Sequence, residues 1–206
     1  MSNTISKTKT LKVNPDSPEG DVIQFAAKLL SGGGLVAFPT ETVYGIGVNF
    51  LNEEAMKKLY RIKQRPLDKP FTIHISRVDM ITKMRCEITD SAEALMKKFW
   101  PGPLTIILKS ENGKLGFRMP QNTVAKALIA ESGVPLGAPS ANFSGKKPPT
   151  EAAEIPGGLA GKLDLILDGG KTRLGIESTV VDTTVFPHKI LREGAVPGED
   201  IRRITA

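Results

Sequence analysis

Cations are concentrated between Lys57 and Lys69, where six of thirteen residues are lysine or arginine. Lys57 and Arg61 are four residues apart, so they would share one face of a helix. Arg65 and Lys69 instead lie in a proline-bounded loop, where both could converge on a single anion such as a triphosphate. A solvated helix face accounts for Lys57 and Lys58 without any ligand, since most runs of charge are of that kind. The loop cations are therefore the candidates for anion binding.

Residues 39–45, Pro-Thr-Glu-Thr-Val-Tyr-Gly, follow directly after a short apolar run. Ligand-binding loops are common at such positions, just after a strand of an α/β protein. Thr40 and Thr42 offer hydroxyl groups, and Tyr44 offers an aromatic ring and a phenol. A simple turn that begins at the proline and places Gly45 at a special backbone angle explains the same residues. The pattern alone leaves both interpretations open.

Residues 114–120 predict a strand with two cations on one side. Because side chains alternate along a strand, Lys114, Gly116 and Arg118 would face the same way. Two cations could then face one cleft. An edge strand that exposes basic side chains to water explains the pattern equally well.

Residues 137–145 are rich in small side chains, which allow a ligand to approach the backbone. Ser140 and Asn142 supply hydrogen bonds suited to phosphate or ribose oxygens. The segment is not a nucleophile elbow, because the G-x-S-x-G spacing is missing and the chain has only two histidines. A structural turn is the alternative. Residues 177–182 and 191–194 each bring a polar end to a predicted strand, but their spacing does not show that they share a site.

Helices and short strands that alternate along the chain must position these segments. Asn52 is expected to cap one helix, and Thr150 another that begins at Glu151. This alternation predicts an α/β fold with a parallel or mixed sheet flanked by helices. No repeat or low-complexity linker interrupts it, which favours one domain over residues 1–206. Helices are predicted at about residues 22–30, 52–65, 92–99 and 124–131, and strands at residues 8–13, 35–38, 71–75, 104–108, 163–167, 179–181 and 190–191.

Composition narrows the class of protein. The chain has 206 residues, of which 40% are hydrophobic, so it can bury a substantial core. A formal charge of +6 favours anionic partners such as nucleotides, phosphates or RNA. A single cysteine, Cys86, excludes an internal disulfide and a thiolate metal cluster, and two histidines make a structural zinc site improbable. Any metal is expected to be Mg²⁺ brought by phosphates. The polar start and the lack of a long apolar stretch favour a cytoplasmic protein that does not enter the membrane.

Eight segments, in unbroken order from about residue 21 to residue 194, together resemble the YrdC family. Each segment is a weak signal by itself, but eight in order are a strong one. The resemblance implies a single YrdC-like domain, with a core at about residues 18–196, whose twisted α/β fold encloses a concave basic cavity. The segments are residues 39–45, 63–65, 69–70, 101–105, 118–120, 139–142, 178–182 and 192–194.

The resemblance also implies an activity, the synthesis of threonylcarbamoyl-adenylate and pyrophosphate from L-threonine, bicarbonate or CO2, and ATP. This product serves the threonylcarbamoyladenosine modification of tRNA. Carried over by motif, the threonine-binding positions are Thr42, His74, Arg118, Ala138 (through its backbone) and Ser178. The ATP-binding positions are Arg65, Lys69, Lys114, Ser140, Pro148 and Arg192.

Among the residues that the family resemblance singles out, no side chain is an obvious general base. Lys63 with Arg65, and Ser140 with Asn142, match the K-x-R and S-x-N pairs of the family, and they are expected to act by positioning the substrates. The carbamate formed from threonine's amine would then attack ATP in line, with Mg²⁺ carried by the phosphates rather than by protein ligands.

Two further expectations concern relatives and partners. Longer family members carry a second domain, and the chain resembles the short form that lacks it. Proteins that transfer the threonylcarbamoyl group are expected downstream.

The competing interpretation is a non-catalytic module that binds tRNA or double-stranded RNA through its basic face, in which case affinity would fall steeply with salt. Only 5% of the residues are aromatic, so a base-stacking surface is not evident.

Overall fold

A computed structural model describes residues 8–205, which form a mixed sheet with helices on its faces. The first strand, expected at residues 8–13, is present as β1, while the polar start at residues 1–7 lies outside the described residues. The strands are β1 (Lys9–Lys12), β2 (Val36–Phe38), β3 (Gly45–Asn49), β4 (Ile73–His74), β5 (Cys86–Glu87), β6 (Leu104–Ser110), β7 (Gly113–Arg118), β8 (Leu136–Gly137), β9 (Leu165–Asp168), β10 (Thr179–Asp182) and β11 (Lys189–Arg192).

Ten of these strands follow the order β1-β9-β2-β3-β8-β4-β7-β6-β10-β11, and β5 pairs with β6 beside that path. The sheet contains both parallel pairs, such as β1 with β9 and β4 with β7, and antiparallel pairs, such as β2 with β3 and β10 with β11. The predicted mixed sheet is therefore confirmed.

Seven helices and one 3₁₀ turn complete the described part of the chain. They are α1 (Gly20–Ser31), α2 (Glu53–Lys63), α3 (Asp79–Lys83), α4 (Asp90–Phe99), α5 (Thr123–Ser132), the 3₁₀ turn Ala152–Glu154, α6 (Gly157–Ala160) and α7 (Gly198–Thr205). Within residues 8–205, no helix is long and apolar enough to cross a membrane.

The apolar run at residues 35–38 is buried on both faces of the sheet. Val36 and Phe38 belong to the core that packs against α1 and α5, whereas Leu35 and Ala37 belong to a second core that packs against α2. A strand buried on both faces needs apolar side chains in both directions, which is why this run is continuous rather than alternating.

Two helix predictions meet different outcomes. Asn52 caps α2 as predicted, because its side chain accepts a hydrogen bond from the Ala55 backbone N–H at 3.0 Å. The helix ends at Gln64, whose left-handed backbone (φ 52°) stops it before Pro66. The helix expected at Glu151 is wrong: Thr150 donates its hydroxyl to the Glu154 carboxylate, and only one 3₁₀ turn forms.

Candidate active site

One cavity gathers residues from all five segments that the sequence singled out. Four of its lining residues lie on strands, four more lie directly beside a strand, and the rest lie on loops. They are Thr40, Thr42, Val43, Tyr44, Gly45, Arg65, Pro70, Phe71, Thr72, His74, Arg118, Ala138, Pro139, Ser140, Glu177, Ser178 and Arg192. Three arginines stand against one glutamate in this lining, so it offers more positive than negative charge. Such a surface suits an anionic ligand.

The loop at residues 39–45 is held rigidly beside the cavity. The Thr40 hydroxyl donates to the Val43 carbonyl at 2.7 Å and lies 2.8 Å from the Thr42 hydroxyl. The Tyr44 hydroxyl donates to the Gly170 carbonyl at 2.7 Å, and burial raises the pKa of this phenol. Gly45 begins β3 without a positive φ, so the alternative interpretation, a turn with Gly45 at a special backbone angle, is wrong. The loop presents its threonines on a fixed backbone.

Arg118 is buried at the end of β7, next to His74 on the neighbouring strand β4. Its Nε donates to the Gly102 carbonyl at 3.3 Å, and its Nη2 lies 2.9 Å from Oε1 of Glu41. The Nη2 to Glu41 contact is an ion pair without hydrogen-bond geometry. Burial lowers the pKa of Arg118, and Glu41 opposes that shift. The Glu41 carboxylate therefore lies beside Nη2 of the guanidinium.

His74 is 3% exposed, and its Nδ1 finds no hydrogen-bond partner among the described residues. Burial lowers the pKa of this imidazole well below 6.5, and the nearby charge of Arg118 lowers it further. His74 is therefore neutral at pH 7. A neutral imidazole can accept a hydrogen bond from a ligand as well as donate one.

Arg192 reaches from β11 to the segment before β10. Its Nε donates to the Ser178 carbonyl at 3.0 Å, its Nη2 to the Ser178 hydroxyl at 3.1 Å, and its Nη1 to the Glu177 carboxylate at 2.8 Å. The Ser178 hydroxyl also lies 2.9 Å from that of Thr105. The sequence did not show that residues 177–182 and 191–194 share a site, but antiparallel pairing of β10 with β11 brings them together.

Arg65 lies in the loop after α2, with its guanidinium 5.2 Å from the centre of the Phe71 ring. Its Nε donates to the Lys69 carbonyl at 2.8 Å, and its Nη2 to the Pro70 carbonyl at 3.1 Å. The loop therefore folds around Arg65. Lys69 contributes its backbone to this arrangement, while its exposed side chain lies outside the cavity lining.

Lys63 is 2% exposed, and its ammonium donates to the carbonyls of Ser140 and Asn142. The Ser140 hydroxyl donates in turn to the Asn142 side chain. Burial lowers the pKa of Lys63 from 10.5 to about 8, with the charge of Arg65 as the second cause. The lysine thus fastens the loop at residues 139–145, and only Ser140 of these three residues lines the cavity.

Of the remaining predicted residues, Lys114 and Pro148 lie outside the cavity lining and Ala138 lies in it. Lys114 forms an ion pair with Asp182 at 2.8 Å and lies outside the lining, as does Pro148. Ala138 lines the cavity, but its N–H donates to the Thr72 carbonyl at 2.9 Å, which leaves its carbonyl for a ligand. The ATP-binding roles of Lys114, Pro148 and Lys69 stay predictions.

Two acidic residues of the site were not identified from the sequence. Glu41 stands between the two threonines of residues 39–45, and Glu177 directly precedes Ser178. Their positions inside singled-out segments were the available signal. No group of three or more His, Cys, Asp or Glu side chains within residues 8–205 is placed to hold a metal ion. Glu177 in the lining forms an ion pair with Arg192, and Glu41, which lies behind the lining, forms one with Arg118.

Comparison with known proteins places this geometry in a family. The Sua5/YciO/YrdC family model, described as telomere recombination, matches residues 28–194. A Pyrococcus abyssi protein named threonylcarbamoyl-AMP synthase is 46% identical over 88% of this chain and 56% of its own length. A Methanocaldococcus jannaschii protein named putative threonylcarbamoyl-AMP synthase is 35% identical over 96% of this chain and 98% of its own.

A solved structure gives the same result for the fold. The crystal structure of P. abyssi Sua5 complexed with L-threonine matches with a TM-score of 0.91 and 43% identity, covering 96% of this chain and 61% of that one. The chain spans about half the length of several curated relatives that it matches, between 54% and 56%.

Proposed function

Because the chain belongs to the Sua5/YciO/YrdC family, we propose that it makes threonylcarbamoyl-AMP and pyrophosphate from L-threonine, bicarbonate or CO2, and ATP. Curated relatives carry the name threonylcarbamoyl-AMP synthase, and the matching Sua5 structure is described as complexed with L-threonine. These names support a transferase that makes an AMP-linked intermediate.

The observation that carries the proposal is that a single cavity contains residues from both predicted ligand sets. Thr42, His74, Arg118, Ala138 and Ser178 are the threonine-side residues in the lining, and Arg65, Ser140 and Arg192 are the nucleotide-side residues. A reaction that joins an amino acid to a nucleotide needs both bound at once, with their reacting atoms close together. Shared lining is the arrangement that this chemistry requires.

The first chemical step would join threonine's amine to bicarbonate or CO2 and form a carbamate. With bicarbonate, a C–N bond forms and water leaves, whereas with CO2 the amine nitrogen adds to carbon and loses a proton. Arg118 would bind the carboxylate of threonine through a charge-assisted hydrogen bond. The neutral His74 could accept a hydrogen bond from the amino group, which would keep the nitrogen directed into the cavity.

The second step would transfer the adenylyl group. A carbamate oxygen attacks the α-phosphorus of ATP, the bond to the bridging oxygen breaks, and pyrophosphate leaves with the bonding electrons. Negative charge is spread over the phosphate oxygens during this step, and Arg65 and Arg192 would stabilise it. We propose that ATP enters as its Mg²⁺ complex, so that the metal is part of the substrate and its ligands are phosphate oxygens.

The non-catalytic RNA-binding alternative is not favoured by the names of the curated relatives. As part of the same proposal, the product would pass to proteins that transfer the threonylcarbamoyl group to tRNA. Location in the cytoplasm, where ATP, threonine and tRNA occur together, is consistent with this role.

Pyrophosphate release tests the proposal. Purified protein is incubated with ATP, Mg²⁺, bicarbonate and threonine, and each component is then omitted in turn. We expect release only in the complete mixture, and slower release when serine replaces threonine, because one methyl group in an apolar pocket is worth about 1–3 kcal/mol. Release that does not depend on threonine would contradict the proposal.

A further inference from the structure

We infer that Glu41 is a positioning residue for the amino-acid substrate, acting through Arg118. This inference rests on the proposed function and names a residue that the predicted site did not include. Glu41 is 2% exposed, and its carboxylate lies beside Nη2 of Arg118 at 2.9 Å. The cavity lining contains Thr40 and Thr42 but not Glu41. Glu41 therefore does not line the cavity itself, and its contact with Arg118 connects it to a ligand there.

The contacts of Arg118 decide which of its nitrogens is left for a ligand. Nε donates to the Gly102 carbonyl, and Nη2 faces Glu41. Nη1 has no hydrogen-bond acceptor among residues 8–205. A guanidinium without other partners could bind a carboxylate through two parallel hydrogen bonds. In this structure Glu41 lies beside Nη2 of Arg118. Nη1 is therefore the guanidinium nitrogen that remains for the substrate carboxylate.

Backbone hydrogen bonds anchor the segments that carry both residues. The Glu41 carbonyl accepts from the Leu174 N–H at 2.8 Å, and the Gly102 N–H donates to the Met119 carbonyl at 2.8 Å. Ile75 donates its N–H to the Arg118 carbonyl at 2.9 Å. Glu41 therefore approaches Arg118 from a backbone that is itself anchored, and it can hold the guanidinium plane in one orientation.

The charge of Glu41 is a second argument for its role in positioning Arg118. Arg118 is buried, and a buried guanidinium without a counter-charge is costly. Glu41 supplies that counter-charge. Both of its carboxylate oxygens lack hydrogen-bond geometry to any described group, so the attraction to Arg118 is the main interaction of this carboxylate. Removing the charge frees the guanidinium to turn toward other acceptors.

A purely structural ion pair would predict a different result from a positioning residue. Loss of a structural pair lowers stability and leaves the affinity of the folded protein for threonine unchanged. Loss of a positioning residue weakens threonine binding in protein that is still folded, and it leaves ATP binding nearly unchanged. Calorimetric titration of each ligand alone separates these outcomes.

The test compares wild type, Glu41→Gln, Glu41→Asp and the control Glu54→Gln, which makes the same change on the exposed face of α2. We expect Glu41→Gln to raise the Kd for threonine about tenfold or more and to change the Kd for ATP less than about twofold. Glu41→Asp keeps the charge, so its Kd for threonine should fall between those of wild type and Glu41→Gln. In steady-state assays, the KM for threonine should rise more than kcat falls.

Arg118 provides the second half of the test. In an Arg118→Met background, Glu41→Gln should cause no further loss of threonine affinity, because the residue through which it acts is gone. Full additivity of the two losses would overturn the inference. Circular dichroism establishes that each variant is folded. Should Glu41→Gln fail to fold, Glu41→Asp decides the matter, since wild-type threonine affinity in that variant would overturn the inference.

The proposed function and the inference fail in different ways. A folded wild-type protein that binds no threonine overturns the proposed function, and the inference falls with it. A wild type that binds threonine, together with a Glu41→Gln variant that binds it equally well, overturns the inference alone. Equal losses of threonine and ATP affinity in Glu41→Gln would also overturn it.

Discussion

Arg192 holds Ser178 at two points, donating from Nε to its carbonyl at 3.0 Å and from Nη2 to its hydroxyl at 3.1 Å. The family resemblance assigns Arg192 to the nucleotide and Ser178 to threonine. In the structure these two residues form one hydrogen-bonded unit, with Glu177 as the counter-charge. The predicted threonine and nucleotide ends of the site therefore meet at this contact. A substitution at either residue should change the affinity for both ligands.

Ser178→Ala is expected to weaken threonine binding and also to raise the Kd for ATP, because Arg192 loses one of its anchors. A residue that served threonine alone would instead leave ATP binding nearly intact. Arg192→Lys should cost more ATP affinity than Ser178→Ala, since an ammonium cannot reproduce three directed contacts. Calorimetry of both ligands tests this, with Arg203→Lys on exposed α7 as the control. Unchanged ATP affinity in Ser178→Ala would show that the two ends are independent.

Arg65→Ala is expected to raise the Kd for ATP about tenfold or more. A charge-assisted hydrogen bond is worth about 1.5–3 kcal/mol, and Arg65 lines the cavity with its guanidinium beside Phe71. Lys57→Ala is the control, because Lys57 is paired with Glu53 and Glu54 on the exposed face of α2. Titration of ATP into both variants gives the two constants. Indistinguishable values would remove Arg65 from the nucleotide site.

Lys63 should make stability increase at alkaline pH. The pKa of Lys63 is about 8 in the folded protein because of burial, against 10.5 for the ordinary side chain. Between these values the unfolded chain holds a proton that the folded protein has released, so the free energy of unfolding rises with pH. Below pH 8 both states are protonated and this contribution stays constant.

Lys63→Met removes the titrating group and should remove this rise. Urea unfolding of wild type and variant at several pH values between 8 and 10.5 provides the comparison, with Lys126→Met on the exposed face of α5 as the control. The difference between wild type and Lys63→Met should grow across this interval. Parallel curves would mean that Lys63 keeps an ordinary pKa in the folded protein.

His74 should make the protein sensitive to acid. Burial lowers the pKa of His74 well below 6.5, so the unfolded chain takes up a proton before the folded protein does. Stability from this group is fully present above pH 6.5 and is lost as pH falls, by at most about 1.4 kcal/mol per pH unit. His74→Gln should flatten the dependence of unfolding free energy on pH below 6.5. An equally steep dependence in that variant would contradict the burial of a neutral His74.

Local signals in the sequence predicted much of the fold. The glycines after residue 31 end α1, and Asn52 caps α2, because these effects depend only on neighbouring residues. Strand β3 was not predicted, since its alternating glycines are more typical of a turn. The structure explains one of them: a Cβ at Gly47 would lie 2.8 Å from the Phe38 ring on the adjacent strand. That constraint comes from tertiary packing and leaves no local pattern.

The site was predictable as a set of segments rather than as a set of contacts. Family resemblance identified Arg118 and Ser178, and the structure places both in one cavity. The family resemblance could not show that Arg118 faces Glu41, or that Lys63 donates to the Ser140 carbonyl, because these partners are far apart in the chain. Lys63 belonged to a run of cations that mostly face water, and only tertiary structure distinguishes this buried member from its neighbours.

If one cavity joins threonine, bicarbonate and ATP, the labelled product can be detected in the reaction mixture. Protein is incubated with ATP, Mg²⁺, threonine and ¹³C-bicarbonate, and the mixture is analysed by mass spectrometry. We expect an adenylate that contains threonine and one ¹³C atom, formed together with pyrophosphate and reduced strongly by Arg118→Ala. Wild-type protein that binds both ATP and threonine but forms no labelled adenylate would contradict the proposed function.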